Sequence, residues 1–161
     1  MLRNENLVAL SRQHQHALAL CVRIERASPI PESDLAVWQT EIAQHFRTEV
    51  RMHFVAEEQL VFPPARGFPK MTLLVDDLVS EHAWLRDRFA RAEAQRLSAA
   101  EITEFSRKLS IHIRKEERQL FEGLQQLMSR EQLAVMGREL EEALKSAEQV
   151  CALPGKKLQQ L

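Results

Sequence analysis

Two histidine–glutamate pairs in the sequence have the spacing needed to hold a metal ion. In HFVAEEQLVF, residues 53–62, His53 stands four residues before Glu57, and in HIRKEERQLF, residues 112–121, His112 stands four before Glu116. Four residues along a helix are about 6 Å apart and share one face, so an imidazole and a carboxylate can converge on one ion. A buried carboxylate is costly unless it is paired or bound to metal. The repeated pair therefore favours a metal site.

The elements that carry these pairs are predicted to be helices. The chain has only 4 glycines among 161 residues, and breakers at 28–33 (SPIPES), 63–70 (PPARGFPK) and 96–99 (RLSA) divide it. We predict helices at 4–27, 33–62, 71–95, 99–127 and 130–150. Ser98 with Glu101, and Ser129 with Gln132, have the spacing of capping boxes that start the last two.

Short connections between the predicted helices favour antiparallel neighbours. We therefore expect an all-α protein, an up-down-up-down four-helix bundle at 1–127, followed by a C-terminal helix and tail at 128–161. The apolar stripe of the fifth helix, which includes Leu133, Met136, Leu140 and Leu144, is expected to cover the bundle or to form a homodimer interface.

At 100° per residue, each of the first four predicted helices places a histidine within its apolar stripe. His14 and His82 lie on the first and third stripes, and the two His/Glu pairs lie on the second and fourth. In an up-down bundle all of them fall in one layer about 10–20 Å from one end. His16 points away from the first stripe, and His45 lies on the flank of the second. One site built by four helices is predicted.

Neutral imidazoles and carboxylates without a thiolate suit iron or manganese, and zinc is a third candidate. Two carboxylates can also bridge a pair of ions. The ferritin-like di-iron bundles need Glu-x-x-His repeats, and no Glu-x-x-His occurs here. That class of bundle is therefore disfavoured.

The bulk composition excludes several other classes. The net charge of -1 gives no electrostatic case for nucleic acid or an anionic membrane. No apolar run approaches the roughly 18 residues needed to span a bilayer, and the N-terminus has no signal-peptide core. Cys21 and Cys151 are far apart and form no CxxC motif, which fits a reducing compartment. A cytoplasmic location is expected.

Taken together, these motifs resemble the hemerythrin-like, or HHE cation-binding, family over about residues 1–127. The matching stretches are SRQHQHAL, HFVAEE, SEHAWLRDRF and HIRKEE. The resemblance implies a non-haem di-iron site bridged by two glutamates, with an open position for dioxygen or nitric oxide. Carried over residue by residue, it implies the metal ligands His14, His53, Glu57, His82, His112 and Glu116.

One position departs from the family pattern. Oxygen-carrying members have a second histidine one turn after the third-helix histidine, and Arg86 stands there in this sequence. An always-charged guanidinium cannot be a ligand. The chain therefore looks more like the variants that sense iron or oxygen or answer nitrosative stress. Glu58, Glu81 or Glu117 could complete the coordination instead.

Three functions follow from these residues. The first is a module that binds or senses dioxygen, nitric oxide or iron. The second is a small iron-dependent oxidase- or peroxidase-like enzyme, for which spare glutamates would have to supply the general acid. The third is a metal-poor interaction scaffold, for which Arg86 is the main argument.

Overall fold

The residues that the structure describes form five helices and contain no strand. The computed structural model describes the backbone of residues 2–152 and the side chains of residues 2–145. Short 3-10 turns precede the first three helices at Glu5–Leu7, Glu32–Asp34 and Pro69–Met71. The helices are α1 (Val8–Ala27), α2 (residues 35–66), α3 (Thr72–Glu93), α4 (residues 99–127) and α5 (Arg130–Ala152). The part of the predicted C-terminal region beyond residue 152 lies outside the described residues.

Both predicted capping boxes are present. The Ser98 side chain accepts from the Glu101 amide while the Glu101 carboxylate accepts from the Ser98 amide. Ser129 and Gln132 exchange the same two bonds at 2.8 and 3.2 Å. These reciprocal bonds satisfy amide groups that a helix start leaves without partners, which is why the sequence located both helix starts.

Two of the helices are not regular along their length. In α2, the α-helical segments Leu35–His45, Arg51–Ala56 and Phe62–Arg66 alternate with π-helical segments at Phe46–Val50 and Glu57–Val61. In α4, the π-helical segment Glu116–Phe121 separates Ala99–Lys115 from Glu122–Leu127. Such wide turns are rare and often occur at functional sites. Here two of them begin at the glutamates of the repeated pairs.

The predicted end of the second helix at residue 62 is wrong, because the helix continues through Pro63 and Pro64 to Arg66. The backbone at Val61, with φ −103° and ψ −49°, closes the π-helical segment and begins a new helical turn. Prolines are tolerated in a first turn, where an amide hydrogen has no intrahelical partner. The break therefore falls at the following turn, before Pro69.

Contacts between neighbouring helices run in opposite sequence directions. Arg66 near the end of α2 pairs with Asp76 near the start of α3, and Arg47 of α2 pairs with Glu93 at the end of α3. The same reversed order joins α1 and α4 through the contacts of Cys21 with Ser106 and of Ser28 with Thr103.

The apolar core is divided into two clusters. One includes Ile24, Phe54, Phe89 and Phe105, and the other includes the residues of the opposite end, Leu10, Phe62, Val75, Phe121 and Leu140. On α1 and α3, the predicted histidine lies in sequence between the residues of the two clusters, and on α2 and α4 the His/Glu pair lies where the chain passes from one cluster to the other. A buried polar layer therefore separates the two apolar cores.

The helix α5 packs on the rest of the chain through its predicted apolar stripe. Leu133, Met136 and Leu140 are at most 3% exposed. The contact with the first turn is so close that a Cβ at Gly137 would lie 2.3 Å from Oδ1 of Asn6. The stripe that could have formed a homodimer interface is thus buried within the chain. None of the described helices is both long and apolar enough to cross a membrane.

Candidate metal centre

The structure brings all six predicted ligand residues together in the polar layer. Each is buried, and none is more than 4% exposed. They come from four helices: His14 from α1, His53 and Glu57 from α2, His82 from α3, and His112 and Glu116 from α4. The layer is a single cluster rather than a set of separate core histidines.

The four imidazoles turn the same ring nitrogen, Nε2, towards the two glutamates. On one side, His53 Nε2 lies 3.2 Å from Glu57 Oε1, and His14 Nε2 lies 3.2 Å from Glu116 Oε2. The two Nε2 atoms are 2.9 Å apart. We call this group, His14 and His53 with these two oxygens, the first half-site.

The other side uses the remaining carboxylate oxygens. His82 Nε2 lies 3.4 Å from Glu57 Oε2, and His112 Nε2 lies 3.1 Å from Glu116 Oε1. His82 Nε2 is also 3.5 Å from Glu116 Oε1. We call this group the second half-site. Each glutamate therefore gives one oxygen to each half-site.

The donor atoms at the centre fit a bound metal. Both oxygens of Glu57 and Glu116 are buried and, beyond the close contacts with the histidine Nε2 atoms, have no hydrogen-bond partner among the described residues. Buried polar atoms without partners are rare in folded proteins and costly. The ligand atoms of His14, His53, Glu57 and Glu116 lie within 4.8 Å of one another, as do those of His82, His112 and Glu116. Two nitrogens and two oxygens per half-site suit a divalent transition metal.

Charge in the cluster is balanced by protons when no metal is bound. Burial acts to lower the pKa of His14, but the carboxylates of Glu116 and Glu117 outweigh it and raise that pKa to about 10. The same opposition raises the pKa of His82 to about 11. Burial acts to raise the pKa of Glu116, but the surrounding histidines hold it well below its usual range.

Each ligand histidine is also held at its outer ring nitrogen, Nδ1. The four acceptors, with their distances, are Glu117 for His14 (2.7 Å), Gln13 for His53 (2.9 Å), Glu58 for His82 (2.9 Å) and Glu81 for His112 (2.7 Å). An Nδ1–H bond to such an acceptor selects the tautomer whose Nε2 lone pair faces the metal position. The rings are thereby oriented before any ion binds.

These outer contacts decide the role of the spare glutamates. Glu58, Glu81 and Glu117 were candidates to complete the coordination, but each lies on the far side of a histidine from the cluster. In this arrangement they bond the Nδ1 atoms of the histidines and do not face the cluster. Sequence reasoning missed this role, although both pairs are followed at once by a second glutamate, Glu58 or Glu117. It also missed Gln13, which no local motif indicates.

The departure at Arg86 is explained by one of these contacts. The guanidinium donates to both oxygens of Glu58, at 2.6 and 3.1 Å, and lies 5.3 Å from the centre of the Phe54 ring. Phe54 in turn stacks on His82, with ring centres 3.8 Å apart. The hydrogen bond from His82 and the pairing with Arg86 lower the pKa of Glu58 to about 2. Arg86 therefore holds Glu58 in place, and Glu58 orients His82.

The remaining two histidines lie outside the cluster, in line with their positions on the helices. His16 bonds Glu49 at 2.9 Å, and its side chain is 54% exposed. His45 is partly buried, and burial lowers its pKa.

A small cavity of about 20 Å³ adjoins the centre. It touches His14, His53, His112 and Glu116, and most of its other walls are apolar side chains, including Ala17, Val50, Phe54, Leu109 and Ile113. A space of this size beside the donor atoms has room for about one water-sized molecule.

A comparison of the sequence with models of known protein families gives a match. The family model described as the hemerythrin HHE cation binding domain matches residues 6–124. The chain belongs to the hemerythrin HHE family. The matched range includes all six clustered ligand residues, and cation binding by this HHE domain agrees with a cluster able to hold a metal. Searches of curated proteins and of solved structures found no significant match.

Proposed function

We propose that this hemerythrin HHE protein is a non-haem iron protein that holds two ions and binds or senses dioxygen, nitric oxide or iron. The observation that carries the proposal is the division of the two buried carboxylates. Glu57 and Glu116 each direct one oxygen to either half-site, and beyond these contacts neither has a hydrogen-bond partner among the described residues. Two bridged cations would neutralise both charges at once.

The donor set supports iron as the metal and keeps manganese and zinc as alternatives. Four imidazole nitrogens and four carboxylate oxygens, without a thiolate, suit each of these ions. Iron would supply the ability to bind dioxygen or nitric oxide at a coordination position that the protein leaves open. The apolar cavity beside His14 and His53 provides the space for such a ligand.

The protein's own residues have separate tasks in this function. The four histidines would bind through Nε2, and the two glutamates would bridge. Glu58, Glu81, Glu117 and Gln13 hold the rings in place. Hydrogen bonds that orient all four rings favour a metal-binding protein over a metal-poor scaffold, because outer partners of this kind strengthen metal binding.

The up-down-up-down order of α1 to α4 is part of the proposal. The reversed order of the contacts between α2 and α3, and between α1 and α4, supports it. In that order the His/Glu pairs of α2 and α4 reach the same layer.

Metal analysis with a matched pair of variants tests the function. The protein is depleted of metal, reloaded anaerobically with ferrous iron, and analysed for iron content and for an optical band in air or with nitric oxide. We expect about two irons per chain. His14→Ala should lose iron, whereas His16→Ala, which removes an exposed histidine two residues away, should keep it. Absence of both iron and an optical band in the unaltered protein would overturn the proposal.

A further inference from the structure

A third histidine–glutamate pair lies outside the metal centre. His45 stands four residues before Glu49, which is also the spacing of His53 and Glu57, and it does so eight residues earlier on α2. The π-helical segment Phe46–Val50 follows His45 directly and contains Glu49. The other two such segments begin at the glutamates of the centre. The same irregularity of the helix, which is rare and often occurs at functional sites, therefore accompanies all three pairs.

The helix α1 adds a second imidazole to this pair. His16 bonds an oxygen of Glu49 through Nδ1 at 2.9 Å. Further along α1, Arg23 pairs with Glu41 of α2. The order of these two contacts is reversed between the helices, so His45 lies between them, one helical turn from Glu49. Two imidazoles and a carboxylate from two helices therefore lie together on this face of the protein.

One nitrogen of this group has no partner. Nε2 of His45 is buried and makes no hydrogen bond with any described residue. Such an atom is costly, and a bound ion would satisfy it. Burial lowers the pKa of His45 against the opposing charge of Glu49, so at pH 7 the ring is neutral, which is the form that binds metal. The side chains of His16 and Glu49 are 54% and 30% exposed, so both have room to turn towards an ion.

The group lies between the solvent and the metal centre. An outer groove of about 420 Å³, bordered by α1, α2 and α5, touches His16. The cavity of about 20 Å³ adjoins the centre on the inner side. Gln13 and Glu49 form part of the wall of both spaces. The Glu49 carboxylate therefore stands on the shortest side-chain route from the outer groove to the inner cavity.

We propose that His16, His45 and Glu49 form a further cation site, which takes up ferrous ions from solution and passes them to the centre. Imidazole nitrogens and a carboxylate are suitable ligands for this ion. With three protein ligands, two of them partly exposed, the site holds the ion more weakly than the centre and is empty once the ion has passed. The role in supply rests on the proposed function, whereas the binding of a cation by these three residues does not.

Cobalt(II) is a probe that X-ray diffraction distinguishes from iron. Crystals of the iron-loaded protein are soaked in cobalt(II) and measured on both sides of the cobalt absorption edge. We expect a cobalt peak in contact with His16, His45 and Glu49. The peak should be absent from Glu49→Gln and from His16→Ala, which alters an exposed position and so provides a second variant. Cobalt at the centre alone, or no bound cobalt, would overturn the site.

The rate of iron loading tests the role in supply. The metal-free protein is mixed anaerobically with excess ferrous iron, and samples are desalted at intervals and analysed for iron. Glu49→Gln should load about tenfold more slowly, because charges of one sign in a cleft raise the on-rate of a counter-ion by about that factor or more. Its final iron content should be unchanged, as in His16→Ala, because all six ligands of the centre remain.

Glu93→Gln is the matched control for the loading rate. It removes an exposed carboxylate that pairs with Arg47 of the same π-helical segment, and it makes the same change of net charge. This variant should load as fast as the unaltered protein. Equal slowing of Glu93→Gln and Glu49→Gln would show a general effect of charge and contradict the role of Glu49. Thermal melting of the metal-free variants checks that both fold as the unaltered protein does.

The outcomes separate this inference from the function beneath it. An iron centre that forms at the same rate in Glu49→Gln, with no cobalt at the surface, would overturn the further site and leave the iron protein standing. If the centre takes up no iron, the proposed function and the role in supply are both overturned. The cobalt soak of the metal-free protein then still decides whether the three residues bind a cation.

Discussion

At the scale of single residues, the centre is organised by the two nitrogens of each imidazole. Nε2 faces the cluster and Nδ1 faces an acceptor in all four rings. In the metal-free protein, the neighbouring carboxylates outweigh burial and raise the pKa of His14 to about 10 and that of His82 to about 11, which favours a second proton on both rings. A metal and these protons compete for the same lone pairs.

Metal binding should therefore release protons. We expect the observed enthalpy of ferrous iron binding at pH 7 to change with the ionisation enthalpy of the buffer. The dependence should correspond to a net number of protons released, because His14 and His82, whose pKa values are raised, must each lose one to coordinate. Calorimetry in two buffers measures this number. The same enthalpy in both buffers would show that these rings are already neutral.

The same protons make the metal-free protein sensitive to alkaline pH. Because the pKa of His14 and His82 is raised above the usual histidine value of 6.5, their contribution to the free energy of unfolding is complete below that pH. It is lost as the pH rises through about 10 and 11. Urea unfolding of the metal-free protein should give a lower stability at pH 9 than at pH 6.5. His16→Ala should show the same decline, and a flat profile would contradict the assignment.

The six clustered residues could be predicted from the sequence because histidine and glutamate are metal-binding types and because their helical phase places them on the buried faces of the helices. The outer partners could not. Gln13 reaches His53 only because α1 packs beside α2, and no spacing within either segment records that contact. From the sequence, Arg86 could only be recognised as a residue that cannot bind a metal. Its pairing with Glu58 joins two helices, so no spacing within one segment predicts it.

At the scale of the helices, capping and proline signals located most boundaries. The predicted fourth helix at 99–127 has the bounds of α4, whose start is set by the Ser98 box. The π-helical segments beginning at Glu57 and Glu116 were not predicted, because a uniform 100° per residue was assumed. No residue type marks such a segment, so its position depends on the packing of the two glutamates towards the centre.

Adding a single methyl group at Gly137 should disturb the contact of α5 with the first turn. A Cβ at Gly137 would lie 2.3 to 2.7 Å from three Asn6 atoms, including Asn6 Cβ, which cannot swing away. Gly137→Ala should therefore lower the free energy of unfolding by about 1–3 kcal/mol, the scale of overpacking. Denaturant unfolding measures the loss.

Gly123→Ala is the matched control for this prediction. Its Cβ would meet only Cε and Sδ of Met71, at 2.8 and 3.0 Å, and a thioether end can move. Alanine is also the better helix former by about 1 kcal/mol, so this variant should be neutral or slightly stabilised. Equal losses in the two variants would contradict the proposed contact with Asn6.

At the scale of the whole molecule, the polar layer divides one core into two. The apolar clusters on either side contribute to stability by burial, while the layer between them holds carboxylate oxygens that, beyond their contacts with histidine nitrogens, have no hydrogen-bond partners among the described residues. Without metal, burial of these carboxylates lowers the free energy of unfolding. Bound cations would neutralise them and connect four helices through shared ligands. The folded protein should therefore be markedly more stable with metal than without.

Thermal melting with and without a chelator measures this stabilisation. Free metal at 100 times its dissociation constant adds about 2.7 kcal/mol if only the folded state binds. For a chain of this size each kcal/mol raises Tm by roughly 2–4 °C, so an increase of about 5–11 °C is expected. His14→Ala should show little increase. An unchanged Tm on chelation of the unaltered protein would instead favour the scaffold function.

The pairing of Arg3 with Glu117 has a practical consequence for work with this protein. Arg3 also bonds Gln125 at 3.0 Å, and Glu117 holds His14. The first few residues are thus linked to a ligand of the metal by two steps of hydrogen bonding. A purification tag or a cloning scar fused at the amino end would act on this linkage. Preparations that differ only in such an addition should differ in iron content.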